Sequence, residues 1–109
     1  MNVQDILKRL EEFDTETYLQ NQQQDTRIRI VIIGGAALLL HQCIQRSTND
    51  IDIIQIDGRL NFDTMEKYDM DVRSMTFSGN FSDTMDDRYL YVHASTKVID
   101  YYVPLLRIL

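Results

Sequence analysis

Residues 31–56 read VIIGGAALLLHQCIQRSTNDIDIIQI, and the fold is decided here. The stretch opens on the end of RIRIVII (27–33), which is β-branched, alternating at first and then wholly apolar. That is the pattern of a central strand with both faces covered. Gly34 and Gly35 interrupt it, and AALLLHQCIQ follows with helix-forming residues that are apolar on most sides. Arg46-Ser47-Thr48-Asn49 makes a polar break, and DIDIIQI (50–56) reads as a second strand closed by the turn signal Asp57-Gly58. A strand, a glycine turn, a buried helix and a strand thus follow one another directly.

Working outward, residues 2–20 predict an amphipathic helix. Val3, Ile6, Leu7, Leu10 and Phe13 share one face and Lys8, Arg9, Glu11 and Glu12 the other. Asn2 is placed to cap it and Asp5 to complement its dipole, and Tyr18 and Leu19 could extend the apolar face. The polar run QNQQQDT (20–26) reads as a surface connection. Beyond the second strand, 63–70 reads as a short helix, 72–77 as a short strand and Ser78-Gly79-Asn80 as a turn. Residues 89–93 and 97–103 predict a hairpin, ended by Pro104. The expected fold is α+β, a single domain over 1–109. It carries a mixed sheet of about four to five strands flanked by helices.

The chain has 109 residues, 44% hydrophobic and 26% charged, enough for one core and too short for a two-domain enzyme. Eleven Lys and Arg stand against 17 Asp and Glu, a net charge of −6. That balance argues against sequence-blind coating of nucleic acid, which needs a basic surface. It leaves room for a small nucleotide whose charge a metal neutralises. Thirteen of the acids are Asp, whose short arm suits turns, caps and metal ligation. Cys43, the single cysteine, excludes an internal disulfide and a self-sufficient zinc site. The N-terminus lacks the features of a secretory signal, and no apolar run is long enough to span a bilayer. A reduced cytoplasmic setting is expected.

Residues two apart on a strand share a face, so Asp50 and Asp52 point the same way, about 7 Å apart. Carboxylates so placed repel one another unless a divalent cation or a shared proton compensates. The alternative is a solvated Asp-x-Asp at a strand start. Likewise, Gly34 and Gly35 could let backbone N–H groups approach a phosphate at a helix start, or could merely form a tight turn. Joined by a single helix, the two features would set a phosphate cradle beside a metal-binding pair, geometry suited to in-line attack on an α-phosphate.

Ile32-Ile33-Gly34-Gly35-Ala36-Ala37-Leu38-Leu39-Leu40-His41, followed by Arg46, Thr48, Asp50-Ile51-Asp52-Ile53, resembles the nucleotidyltransferase superfamily of DNA polymerase β. It looks closest to small bacterial nucleotidyltransferase-like domains related to abortive-infection type E toxins. The resemblance implies phosphate contact at Gly34 and Gly35 and Mg2+ ligation by Asp50 and Asp52. Where many members have Ser after the glycine pair, this chain has Ala36, so that hydroxyl is missing. A third carboxylate is implied on a later strand. Asp100, inside KVIDYYV, is the leading candidate, because a charge within an apolar strand is costly unless it is paired or metal-bound. The alternative is an edge strand with Asp100 facing water. Asp71, Asp86 and Asp87 sit in segments read as loops and rank behind it. Arg46 could neutralise a phosphate or pair with Asp50 or a helix end, and Thr48 could hydrogen-bond near the metal. His41, Cys43 and His93 read as structural.

Two functional readings follow. In the first, a Mg2+-dependent enzyme moves a nucleoside monophosphate from an NTP to the hydroxyl of an RNA end, a protein or a small molecule, in a toxin–antitoxin or phage-defence setting. In the second, the fold persists as an inactive binding or regulatory module. That module would act through a dimer or a partner protein docked on the apolar run Val103, Leu105, Leu106, Ile108 and Leu109. An Asp100 carboxylate far from Asp50 and Asp52 would count against turnover.

Overall fold

A strand without a wet face needs cover on both sides, and Ile28–Ile33 (β1) occupies the middle of the sheet. The computed structural model describes residues 1–20, 27–42, 47–57, 60–72, 89–91 and 97–104. The other described elements are the helices Val3–Gln20 (α1), Gly34–Leu40 (α2) and Phe62–Lys67 (α3). The remaining strands are Ile51–Asp57 (β2), Met70–Val72 (β3), Tyr89–Tyr91 (β4) and Ile99–Pro104 (β5). The strands form one mixed sheet in the order β3-β2-β1-β5-β4. β1 runs antiparallel to β2 and parallel to β5; β2 and β3 are parallel, and β4 and β5 are antiparallel. The α+β class and mixed sheet expected from sequence are what the chain adopts.

Alternation along the strands sorts the two faces. Ile28, Ile30 and Ile32, with Ile51, Ile53, Ile99 and Tyr101, join the main core with the helices. Ile6, Leu10 and Phe13 of α1 are wholly buried there, each contributing roughly 2 kcal/mol of apolar transfer. The opposite face carries Val31, Ile54 and Tyr102, packed with Ile33. Asp52 and Asp100 alternate onto that second face, each two residues from one of its apolar members.

α1 begins as its sequence suggests. The Asn2 side chain accepts from the Asp5 N–H at 2.9 Å, and Asp5 accepts from the Asn2 N–H at 3.0 Å, a reciprocal cap. Its far end departs from expectation: Tyr18 and Leu19 are exposed, and the core face is continued by Asp14 and Thr17. Asp14 is buried because it accepts three backbone N–H groups, from Lys97 (2.6 Å), Val98 (2.9 Å) and Ile99 (2.9 Å), where β5 begins.

The expected helix over 63–70 is instead α3, capped by Asn61, which accepts from the Thr64 N–H at 3.1 Å. It stops early because Asp69 adopts φ +60, a left-handed turn that Asp tolerates better than most residues. The chain then enters β3 at once, two residues before the expected start of that strand. Residues 73–77, the polar connection over 21–26, the turn at 78–80 and the link between β4 and β5 lie outside the described residues. Among the described residues, no helix is long and apolar enough to cross a membrane.

Candidate active site

The register of β1 and β2 places Ile33 opposite Asp52, so the bend that follows Ile33 lies directly beside that carboxylate. Gly34 takes φ +68, which a residue with a side chain adopts at a cost. A Cβ there would stand 3.2 Å from Asp52 Oδ2. Gly35 is equally hemmed in, its missing Cβ 3.2 Å from Thr48 Oγ1. Both glycines therefore face the segment that carries the acids. α2 then continues for seven residues and buries Ala36, Ala37 and Leu39 in the main core.

On the other side of β2, the parallel register pairs Asp52 with Asp71 of β3. Paired residues on adjacent strands, about 4.8 Å apart, project to the same face. Asp50 stands immediately before β2. One carboxylate oxygen from each of Asp50, Asp52 and Asp71 lies within 4.8 Å of the others. Asp50 and Asp71 are exposed and Asp52 is half-buried, so the cluster opens to solvent. Asp52 Oδ1 is the inward atom, shielded from solvent and without a hydrogen-bond donor on it among the described residues.

Asp100 does not join this group. It pairs with Arg29 of β1, four residues from Ile33, about 13 Å along that strand and on the opposite neighbouring strand. Its carboxylate Oδ1 instead accepts from Arg27, at 2.9 Å from Nε and 2.6 Å from the terminal nitrogen. This ion pair accounts for a charge that is only 8% exposed. The carboxylate that stands with Asp50 and Asp52 is that of Asp71, not the expected Asp100. Sequence held a signal for it: Met70-Asp71-Val72 repeats the apolar–Asp–apolar pattern of Ile51-Asp52-Ile53. A strand of three residues is too short for that pattern to stand out.

Thr48 does reach the site. Its hydroxyl donates to the Asp50 carbonyl at 3.2 Å, and its N–H donates to the Met1 carbonyl at 3.1 Å. Arg46 and Cys43, like His93, Asp86 and Asp87, lie outside the described residues. His41 is half-buried, and its Nε2–H donates to the Pro104 carbonyl at 2.6 Å, tying the end of α2 to the end of β5.

Among the described residues, three carboxylates with no nitrogen or sulfur donor make a hard, all-oxygen set. Such a set suits Mg2+, Mn2+ or Ca2+ and is a poor match for the softer ions that prefer imidazole or thiolate. Mg2+ commonly takes one or two protein carboxylates and completes its shell with water and substrate phosphates. The exposed side of the cluster leaves room for that.

A mixed sheet flanked by helices, with a strand–glycine–helix bend set against converging carboxylates, defines a nucleotidyltransferase-like core. The chain belongs to a nucleotidyltransferase family: the family model described as "Nucleotidyltransferase of unknown function (DUF6036)" matches residues 8–107. No curated protein and no solved structure matches it.

Proposed function

We propose that this chain is a Mg2+-dependent enzyme that transfers a nucleoside monophosphate from an NTP to a hydroxyl acceptor. The observation that carries the reading is the convergence of Asp50, Asp52 and Asp71, three carboxylate oxygens within 4.8 Å, beside Gly34. Membership of a nucleotidyltransferase family supports an NTP as donor. Asp50 and Asp52 would hold the cation, which when bound supplies positive charge to the polyphosphate and to the oxygens that gain charge at the α-phosphate. Gly34 and Gly35 would lie against the phosphates, with Arg46 and Thr48 as further polar contacts. Asp71 would accept the proton of the attacking hydroxyl. The acceptor oxygen bonds to the α-phosphorus, and the bond to the bridging oxygen breaks, releasing pyrophosphate.

The acceptor is an RNA end, a protein side chain or a small molecule. The same proposal places the reaction in the cytoplasm, within a toxin–antitoxin or phage-defence system. The test is incubation with each α-labelled NTP, Mg2+ and a cell extract, alongside the Asp50→Ala/Asp52→Ala variant. Label transferred by the wild type and lost in the variant is the expected result. Absence of both transfer and cation-dependent NTP binding would refute the mechanism. The toxin setting has its own readout, growth arrest on induction that the same double variant relieves.

A further inference from the structure

Gly34 and Gly35 each have a protein neighbour in the space that a side chain would take. Gly34 is closed over by Asp52 Oδ2 and Gly35 by Thr48 Oγ1, both 3.2 Å from where a Cβ would stand, and Thr48 Cβ follows at 3.5 Å. A contact of 3.2 Å is tighter than most that real Cβ atoms make, so an alanine at Gly35 requires Thr48 to give by a few tenths of an ångström. The same Thr48 hydroxyl donates to the Asp50 carbonyl at 3.2 Å, two residues along the chain. Its backbone is held independently, the N–H donating to Met1 O at 3.1 Å and the carbonyl accepting from Met1 N at 2.6 Å. Asp50 itself stands immediately before β2, in the peptide unit whose Ile51 N–H donates to the Asp69 carbonyl at 2.7 Å.

We propose that Thr48 is a positioning residue of the acidic site: wedged between Gly35 and the main chain of Asp50, it sets where the Asp50 carboxylate joins Asp52 and Asp71. Gly35 is glycine because the Thr48 hydroxyl occupies the volume a side chain would need. This rests on the reading of the cluster as a divalent-cation site. It assigns a role that does not require Thr48 to touch the nucleotide, and it couples the glycine bend to the acids through one hydroxyl. Groups that orient metal ligands from outside the coordination shell typically change affinity by about 10–100-fold when removed.

The test is a double-mutant cycle read by Mn2+ binding, followed through the ion's paramagnetic resonance signal, and by thermal unfolding without metal. The proteins are the wild type, Thr48→Ala, Thr48→Ser, Gly35→Ala and Gly35→Ala/Thr48→Ala. Thr48→Ala is expected to weaken Mn2+ binding by about ten-fold or more, whereas Thr48→Ser, which keeps the hydroxyl, stays near wild type. Gly35→Ala is expected to lower both Mn2+ affinity and melting temperature in the parent, and to add little once Thr48 is alanine. Additive losses in the double variant, or a Thr48→Ala protein that binds Mn2+ as the wild type does, would overturn the assignment. A wild-type protein that binds no Mn2+ overturns the cation reading itself, and the two failures are therefore distinct. Should Gly35→Ala fail to fold, the Thr48→Ala and Thr48→Ser comparison still decides.

Discussion

Three carboxylates whose oxygens lie within 4.8 Å of one another repel, and that repulsion weighs on the fold that carries them. At the separations within the cluster, each pair costs on the order of 1 kcal/mol when water screens it. Replacing Asp71 with Asn keeps the shape and removes two of those repulsions. In the absence of divalent cations Asp71→Asn should therefore melt about 4 °C or more above the wild type. Its Mg2+-dependent rise in melting temperature should be much smaller than that of the wild type. Calorimetry with and without Mg2+ checks both signs at once, and a variant less stable than the wild type without metal would refute the repulsion argument. Asp100 predicts the contrary pattern. Its charge serves Arg27, so Asp100→Asn should lower stability by about 1–2 kcal/mol, since the pair is only partly shielded from water, and leave Mn2+ affinity unchanged.

At the scale of elements, α1 and β5 are joined by a buried polar device that no periodicity reveals. Asp14 spends both carboxylate oxygens on three N–H groups at the start of β5, and the Tyr101 hydroxyl of that strand donates to the Leu10 carbonyl at 2.8 Å. Asp14→Asn turns an NH2 group toward a backbone donor and should cost about 3 kcal/mol in urea unfolding. Tyr101 carries a pH signature. Burial first, and the Asp14 charge second, push its phenol well above the ordinary value of 10.0. The unfolded chain releases this proton near pH 10 while the folded chain keeps it, so the contribution to stability is complete below pH 10 and is lost as pH rises beyond it. Tyr101→Phe should be less stable at neutral pH by about 1 kcal/mol, for the lost hydrogen bond, and should show a shallower decline on the alkaline side. Parallel curves for the two proteins would contradict this.

The same elements show what the sequence makes legible. β1, α2 and β2 are readable because runs such as RIRIVII and DIDIIQI leave little choice of structure, and Asn2 with Asp5 marks the start of α1 in a recognisable spacing. The glycine bend and the Asp50 and Asp52 pair follow from those elements. Asp71 is not readable in the same way: its strand exists only because Asp69 turns left-handed and its N–H and carbonyl bond Glu66 and Ile51. Asp100 misleads for the converse reason. An acid in an apolar strand signals a partner, and sequence spacing cannot say that the partner is Arg27 rather than a metal.

For the whole molecule, the decisive quantity is charge. At the proposed site an NTP would bring about four negative charges to three carboxylates on a protein of net charge −6. Long-range repulsion and the local cluster both oppose binding of the bare nucleotide, and a cation bound between them reverses the local sign. NTP binding should therefore be strictly cation-dependent: undetectable by calorimetry in chelator and restored by Mg2+. Added NaCl should raise the melting temperature of the cation-free wild type by screening the cluster. The rise should shrink in Asp50→Asn/Asp71→Asn, where two of the three charges are gone. With Mg2+ present at a hundred times its dissociation constant, linkage contributes about 2.7 kcal/mol, or about 10 °C for a chain of this size. The double variant should forgo most of that gain. Equal NTP affinity with and without divalent cations would show that the acidic cluster and the nucleotide do not share a site.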